Sequence, residues 1–181
     1  PLKGLDAYVE NAMKAWEEEG DFRAAVEADP GILAALGPEG IAEAFSLERQ
    51  LRNVDKIFRR VFDENGVRTV LDAACGTGMH AIAFAKAGWE CVGADISPVM
   101  VEQARQNARE AGMPVRFEVA GFGELARRIG GPFDAVTCLG NSLPHLLDDP
   151  SLRSCLTDFA GLLRPGGCLV IQNLNYDRPR G

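Results

Sequence analysis

Apolar and polar positions change their spacing near residue 69, and the change divides the chain in two. Before it, apolar residues recur at intervals of four, three, four and three, which places them on one helix face: Leu47, Leu51, Val54, Phe58 and Val61. Shorter helices are predicted over 5–19 and 21–28, the second ending at Asp29-Pro30-Gly31. Residues 1–68 are therefore predicted to form a helical extension that packs on the rest of the chain or acts as a lid.

After residue 69, short apolar segments alternate with helical ones. Strands are predicted over 69–73, 90–94, 115–119, 133–139 and 167–172, and helices over 79–87, 98–111, 124–129 and 152–163. This alternation predicts an α/β fold, a Rossmann-like doubly wound parallel sheet formed by residues 69–181. In such a sheet the ligand lies beyond the carboxyl ends of the strands, where the winding reverses.

Composition and charge narrow the class of protein. A chain of 181 residues that is 46% hydrophobic and 25% charged is typical of a globular domain with a sizeable core. Its net charge of −7 argues against a nucleic-acid surface, and no apolar run approaches membrane-spanning length. The five cysteines include no Cys-x-x-Cys pair, so neither a metal site nor a disulfide framework is expected, and a cytoplasmic location is predicted.

The strongest chemical signal joins the first predicted strand to the first helix that follows it, over Val70-Leu71-Asp72-Ala73-Ala74-Cys75-Gly76-Thr77-Gly78. Glycine suits such a turn because it tolerates positive φ and lets a ligand approach the backbone. The spacing Gly76-x-Gly78-x-x-Ala81 satisfies a loose dinucleotide fingerprint. A carboxylate at Asp72 would repel a pyrophosphate but can pair with a cationic ligand. A cationic nucleotide is therefore favoured over a dinucleotide, which stays possible.

Two other strand ends carry polar side chains. Asp95 closes the second strand, where a carboxylate can accept both hydroxyls of a ribose, and Ile96 and Met100 would lie near an adenine. The fourth strand runs into Asn141 and His145, whose amide and imidazole can donate and accept hydrogen bonds. His80 and the pair Asp148-Asp149 are interpreted as structural, the latter as helix caps.

Four elements in this order resemble the class I S-adenosylmethionine-dependent methyltransferases. They are Leu71-Asp72-Ala73-Ala74-Cys75-Gly76-Thr77-Gly78, then Asp95 with Ser97 and Met100, then Phe133-Asp134-Ala135-Val136, and then Leu163-Arg164-Pro165-Gly166-Gly167. Within that superfamily, Cys138-Leu139-Gly140-Asn141-Ser142 with His145, and Asn175-Tyr176-Asp177, are similar to the glycine and sarcosine N-methyltransferases.

The resemblance implies a role for each matching position. The cofactor would be S-adenosylmethionine, with its methionine part held by Asp72, Ala74, Gly76, Thr77 and Gly78, its ribose by Asp95, its adenine by Ile96, Met100 and Phe122, and its methyl beside Leu139 and Gly140. Asn141 and His145 would face the methyl acceptor as the catalytic pair.

Three positions depart from the family pattern. Gly121-Phe122 lacks the usual polar residue for the adenine amino group, and His80 replaces a frequent acid. Leu174 stands where glycine methyltransferases commonly carry a basic residue for the substrate carboxylate. The absence of this basic residue argues against glycine as the specific substrate but not against methylation of an amine.

The predicted function is methyl transfer to a small-molecule nucleophile, an amine, without nucleic-acid or membrane partners; a homo-oligomer stays possible. An O-methyltransferase, a nicotinamide-dependent oxidoreductase and a cofactor-binding fragment without turnover remain as alternatives. The superfamily's sheet usually ends in an antiparallel hairpin after the fifth strand, but the sequence ends at Gly181. A strand at 168–171 would then have an apolar unpaired edge, so a chain truncated at its C-terminus is expected.

Overall fold

The computed structural model describes residues 22–46 and 54–174, which fall in two compact units divided between Arg52 and Asn53. In the first unit, α1 (Phe22–Ala28) matches the helix predicted over 21–28 and is followed by α2 (Pro30–Ala44). Asp29 caps α2, because its carboxylate accepts hydrogen bonds from the backbone N–H groups of Gly31 and Ile32 at 2.8 and 3.0 Å. The helix predicted over 5–19 lies outside the described residues.

The second unit contains a sheet of five parallel strands in the order β3-β2-β1-β4-β5. Its elements are α3 (Val54–Glu64), β1 (Thr69–Ala73), α4 (Met79–Lys86), β2 (Glu90–Asp95), α5 (Pro98–Glu110), β3 (Arg116–Val119), α6 (Leu125–Ile129), β4 (Phe133–Cys138), a 3-10 turn (Leu143–His145), α7 (Asp149–Leu162) and β5 (Leu163–Ile171). From β1, the next two strands are added on one side, β2 beside β1 and β3 beside β2. The chain then crosses back, and β4 and β5 are added on the other side of β1. The doubly wound parallel sheet predicted from the sequence is confirmed, and the winding reverses between β1 and β4.

Aromatic packing assigns α3 to the sheet unit. Phe58 and Phe62 of α3 lie against Phe84 of α4, with ring centroids 4.8 and 5.6 Å away, and Phe62 also meets Trp89 edge-on at 5.0 Å. Each such pair contributes roughly 0.5–1.5 kcal/mol beyond burial of its area. The predicted apolar stripe is thus confirmed at Phe58 and Val61, which pack in this core, whereas Leu47, Leu51 and the Val54 side chain lie outside the described part of the chain. The compact unit begins at Asn53, before the boundary predicted at 68/69.

One carboxylate ties together the amino-terminal edge of the sheet. Asp134 of β4 accepts hydrogen bonds from the backbone N–H groups of Arg68 and Thr69 at 2.8 and 3.0 Å, and from the guanidinium of Arg164. The Arg164 hydrogen bond, with these backbone amides, lowers the pKa of Asp134 to about 2. Two of the four family elements therefore meet at the edge opposite the carboxyl ends of the strands, where they stabilise the sheet.

The start of β5 differs from the prediction. The strand was predicted to begin at 167, after the turn Arg164-Pro165-Gly166-Gly167, but it begins at Leu163. Leu163 already pairs with Phe133, and the next residue in register is Cys168, opposite Ala135. Residues 164–167 therefore form an irregularity within the strand and do not precede it. Leu163 joins the sheet directly after α7, and the Arg164 side chain bonds to Asp134.

Within residues 22–46 and 54–174, no helix has the length and apolar character needed to cross a lipid bilayer.

Candidate functional site

The loop 74–78 connects β1 to α4 with left-handed backbone at three positions. Ala74, Gly76 and Gly78 have φ values of 60°, 53° and 80°. A Cβ added at Gly76 would meet no atom within 4 Å, so this stretch of backbone is open to a ligand. A Cβ at Gly78 would lie 2.7 Å from Cζ of Phe117, so the space beside Gly78 is filled by the protein itself.

Phe117 of β3 is a site-shaping residue that the sequence analysis missed. Its ring also lies 2.5 Å from where a Cβ of Gly93 would stand, so it occupies a slot between β2 and the start of α4. Cys75, in the loop, donates its backbone N–H to the carbonyl of Ala94 at 2.9 Å. These contacts hold the loop against β2 and leave the Gly76 side open.

Asp95 lies at the end of β2, half-buried between the loop and the start of α5. Its Oδ2 accepts the backbone N–H of Gly76 at 2.8 Å, and its Oδ1 accepts the backbone N–H of Ser97 at 2.9 Å. Each oxygen has further acceptor capacity, so a carboxylate fixed by two amides can still accept two hydroxyl groups. Ser97 caps α5 and Pro98 begins it, as predicted.

Asp72 occupies β1 beneath the loop and is only 1% exposed. Its Oδ1 accepts a hydrogen bond from the Thr137 hydroxyl at 2.9 Å. Its Oδ2 has no hydrogen-bond partner among residues 22–46 and 54–174. Burial raises the pKa of Asp72 to about 7, while the Thr137 hydroxyl and the backbone of Ala81 act in the opposite direction. The sequence indicated this carboxylate but not its partner on β4.

A cavity of about 370 Å³ opens at the carboxyl edge of the sheet. It lies where β1, β2, β3 and β4 end, and most of its lining is apolar: Ala74, Ile96, Ala120, Gly121, Phe122, Ser142, His145 and Leu146. The ring of Phe122 stands edge-on to Phe159 with centroids 5.7 Å apart, which fixes one wall. Four predicted site residues thus meet at one cavity: Ala74, Ile96, Phe122 and His145.

Met100 and Leu139 lie outside that lining. Met100 is 40% exposed in the first turn of α5, and Leu139 is buried beyond the end of β4. Thr77 is half-buried, and its backbone carbonyl accepts a hydrogen bond from the Asn107 side chain at 2.9 Å. The roles predicted for these residues in cofactor binding stay predictions.

The end of β4 is tied to the segment after β5. Asn141 has a φ of 65°, and its side-chain oxygen accepts the backbone N–H of Leu174 at 3.0 Å. The side-chain oxygen of Gln172 accepts the backbone N–H of Gly140 at 3.1 Å. The amide oxygen predicted to face an acceptor is therefore engaged with backbone, and the acceptor role of Asn141 stays a prediction.

His145 ends the 3-10 turn with an exposed ring on the cavity, beside Ser142. His80 is half-buried in α4 near Phe84, and burial lowers its pKa, in line with a structural role. Asp148 caps α7 as predicted, accepting the Ser151 backbone N–H at 2.8 Å. No cluster of His, Cys, Asp and Glu suited to a metal ion occurs in the part of the chain that the structure describes.

Residues 70–167 match a family model described as a methyltransferase domain. A second model, described as the adenylosuccinate lyase C-terminus, matches residues 8–61, less than a third of the chain.

Curated relatives and solved structures match the same region. A glycine/sarcosine N-methyltransferase of Parasynechococcus marenigrum is 42% identical over 67% of this chain and 43% of its own length. A ubiquinone biosynthesis O-methyltransferase of Xanthomonas axonopodis is 37% identical over 59% of this chain and 43% of its own length. An amino pentose methyltransferase of Micromonospora echinaspora, solved with bound S-adenosylmethionine, is 26% identical with a TM-score of 0.59, covering 73% of this chain and 52% of that one. The chain spans less than half the length of these two curated relatives.

Proposed function

Because residues 70–167 make this chain a member of the methyltransferase-domain family, we propose that it binds S-adenosylmethionine at the carboxyl edge of its sheet and transfers the methyl group to a small-molecule amine. The observation that carries the proposal is the convergence of the open Gly76 backbone, the amide-fixed carboxylate of Asp95 and the apolar cavity between Ile96 and Phe122. These features suit, in order, a ligand chain, a ribose and an adenine.

The residues fit a cationic cofactor better than a dinucleotide. Asp72 and Asp95 place two carboxyl groups close to the loop, and the buried Oδ2 of Asp72 has no hydrogen-bond partner among the described residues. A pyrophosphate beside these groups would be repelled, whereas an ammonium or a sulfonium is attracted. The proposed cofactor contacts are therefore the charge of Asp72, the backbone of Gly76 and the carboxylate of Asp95.

Methyl transfer from a sulfonium requires mainly that the protein align the methyl donor with the acceptor. S-adenosylmethionine supplies a methyl group on a sulfonium that leaves as a neutral thioether. The chain binds and orients the two reactants and excludes water from the cavity, which contributes several kcal/mol to the lowering of the barrier, on the order expected for proximity effects. His145, exposed on the cavity wall, is placed to accept a proton from the acceptor, although an amine that arrives deprotonated needs no base.

The relatives' names support an amine as the acceptor class. The Parasynechococcus protein is named for glycine and sarcosine N-methylation, and the Micromonospora protein for an amino pentose. Leu174 offers no positive charge for a carboxylate, so we propose an amine other than free glycine. O-methylation is the second candidate, because the similar Xanthomonas protein is named as an O-methyltransferase. All five cysteines are free thiols, which supports a cytoplasmic location.

Calorimetry of the 181-residue chain with S-adenosylmethionine, S-adenosylhomocysteine and NADH tests the cofactor. We expect both adenosyl ligands to bind and NADH not to bind; binding of NADH alone would refute the proposal. Transfer of a labelled methyl group is then assayed with sarcosine, amino sugars, other small amines and catechols. Product from amines supports the proposed acceptor class, product from catechols alone selects the O-methyltransferase, and cofactor binding without product from any acceptor selects the non-catalytic alternative.

A further inference from the structure

Asp72 and Thr137 form a polar pair in the middle of the sheet. They are direct register partners on β1 and β4, the two strands between which the winding reverses. Among the described residues they are the two polar or charged side chains that are buried, at 1% and 0% exposed. Their surroundings are apolar, so this pair is an exception to the composition of the core.

The hydrogen bonding of the pair is asymmetric. The Thr137 hydroxyl lies 2.9 Å from Oδ1 of Asp72 and 3.4 Å from the carbonyl oxygen of Leu71, and its single proton is best placed in the shorter contact. Oδ2 has under 1 Å² of exposed surface and accepts no hydrogen bond from the described residues. A carboxylate oxygen left unpaired in a sheet core is costly, and such exceptions concentrate at functional sites.

Several titratable groups lie around the pair. Burial raises the pKa of Asp72 to about 7, and Asp95 at the end of β2 adds to that rise. Burial also raises the thiol pKa values of Cys75 in the loop, Cys91 on β2 and Cys138 on β4, so these stay neutral.

The helix α4 contributes a backbone group and a neutral ring to the same region. The backbone N–H of Ala81 interacts with the Asp72 carboxylate and lowers its pKa, as the Thr137 hydroxyl does, but it lies outside hydrogen-bonding geometry to Oδ2. Burial lowers the pKa of His80 in the same helix, which keeps its imidazole uncharged at neutral pH.

We propose that Thr137 is a positioning residue for the methyl donor: by holding Oδ1 of Asp72, its hydroxyl keeps the carboxylate charged and fixed so that the unpaired Oδ2 attracts the cationic end of the donor across the glycine loop. Because Oδ2 is enclosed, this attraction acts through the loop. The inference rests on the proposed function, since it requires that the ligand be a cation.

The test compares Thr137→Val, which removes the hydroxyl and keeps the shape, with Thr137→Ser, which keeps the hydroxyl. The dissociation constant for S-adenosylmethionine is measured by calorimetry from pH 5.5 to 8.5. A ligand that prefers ionised Asp72 loses about tenfold in affinity per pH unit below the pKa and none above it. The amino group of the ligand also titrates, but it does so equally for every variant.

We expect the break in this profile to move to higher pH in Thr137→Val, so that affinity falls about tenfold near pH 7 and converges with wild type at pH 8.5. Thr137→Ser should follow wild type. A loss that is equal at every pH would indicate a purely structural role and overturn the proposal, as would a Thr137→Val profile identical to wild type.

A measurement on the wild-type chain covers the case in which Thr137→Val does not fold. The carboxyl carbon of Asp72 is titrated by NMR with and without S-adenosylhomocysteine, which retains the ammonium. Binding should move the titration to lower pH by about one unit or more. A ligand that binds without moving it overturns the role of this pair alone, whereas a wild-type chain that binds neither adenosyl ligand overturns the proposed function and this inference with it.

Discussion

Replacing Asp72 by Asn should stabilise the ligand-free protein above neutral pH while weakening its affinity for the cofactor. The carboxyl group is 1% exposed and has one oxygen without a partner among the described residues, so its charge is unfavourable unless a cation is bound. An amide of the same shape can still accept the Thr137 hydroxyl. The charge of Asp72 therefore lowers the stability of the ligand-free protein and strengthens the binding of a cationic ligand.

The magnitude follows from the pKa. Because the folded value, about 7, lies above the ordinary 3.8, the folded chain holds its proton longer than the unfolded chain. Its stability therefore falls as pH rises from about 4 to about 7, by roughly 4 kcal/mol in total at 1.36 kcal/mol per unit. An unpaired Asn amide nitrogen offsets about 1–3 kcal/mol of the gain. This leaves Asp72→Asn about 1–3 kcal/mol more stable than wild type at pH 8.

Urea unfolding of both proteins at pH 5, 6, 7 and 8 measures the effect. The difference between variant and wild type should grow by about 2–3 kcal/mol from pH 5 to pH 8, whatever the amide costs. Asp134→Asn is the matched control: the pKa of Asp134 is lowered to about 2, so the effect of this substitution should not vary over that range. An Asp72→Asn difference that is flat with pH would show that the Asp72 carboxyl has the same pKa in the folded and the unfolded chain.

Four substitutions separate the residues assigned to the cofactor site from those that stabilise the sheet. Asp134→Asn should cost about 2 kcal/mol at pH 7, because the native contribution is complete above the unfolded pKa and is lost only as pH falls through about 2; urea unfolding measures it, and no loss at pH 7 would contradict the assignment. Gly78→Ala should destabilise the fold by about 2–4 kcal/mol in the same assay, because its Cβ would lie 2.7 Å from Phe117, whereas Gly76→Ala should cost only about 1 kcal/mol yet weaken cofactor binding. Equal effects of the two alanines on stability would refute this distinction. Asp95→Asn should weaken S-adenosylmethionine binding by about 10–100-fold in calorimetry, and an unchanged affinity would remove Asp95 from the site.

Local signals in the sequence were sufficient to predict the parallel sheet and the protein family. The strand 69–73 and the start of the helix at Pro98 were predicted at their observed positions, because β-branched runs and a Ser-Pro cap depend on neighbouring residues only. The ordered elements gave the class I methyltransferase resemblance, which the family match confirms. Ala74, Ile96, Phe122 and His145 line one cavity because parallel strands end at one edge, while the cofactor and catalytic roles given to them stay predictions.

The features that could not be predicted from the sequence depend on strand register and on packing between residues far apart in the chain. Thr137 is a typical strand residue by propensity, and only the pairing of β1 with β4 places its hydroxyl on Asp72. The ring of Phe117 leaves no room for a side chain at position 78, but nothing in the local sequence connects Phe117 with Gly78. Similarly, β5 starts early because Leu163 pairs with Phe133 on the neighbouring strand.

The carboxyl edge between β1 and β4 is the proposed binding site of a cationic adenosyl cofactor. A crystal structure of the chain with S-adenosylhomocysteine tests this proposal most directly. We expect to find the ribose hydroxyls within hydrogen-bond distance of Asp95 and the adenine between Ile96 and Phe122. A ligand bound elsewhere, or a diphosphate preferred at the Gly76 loop, would contradict it.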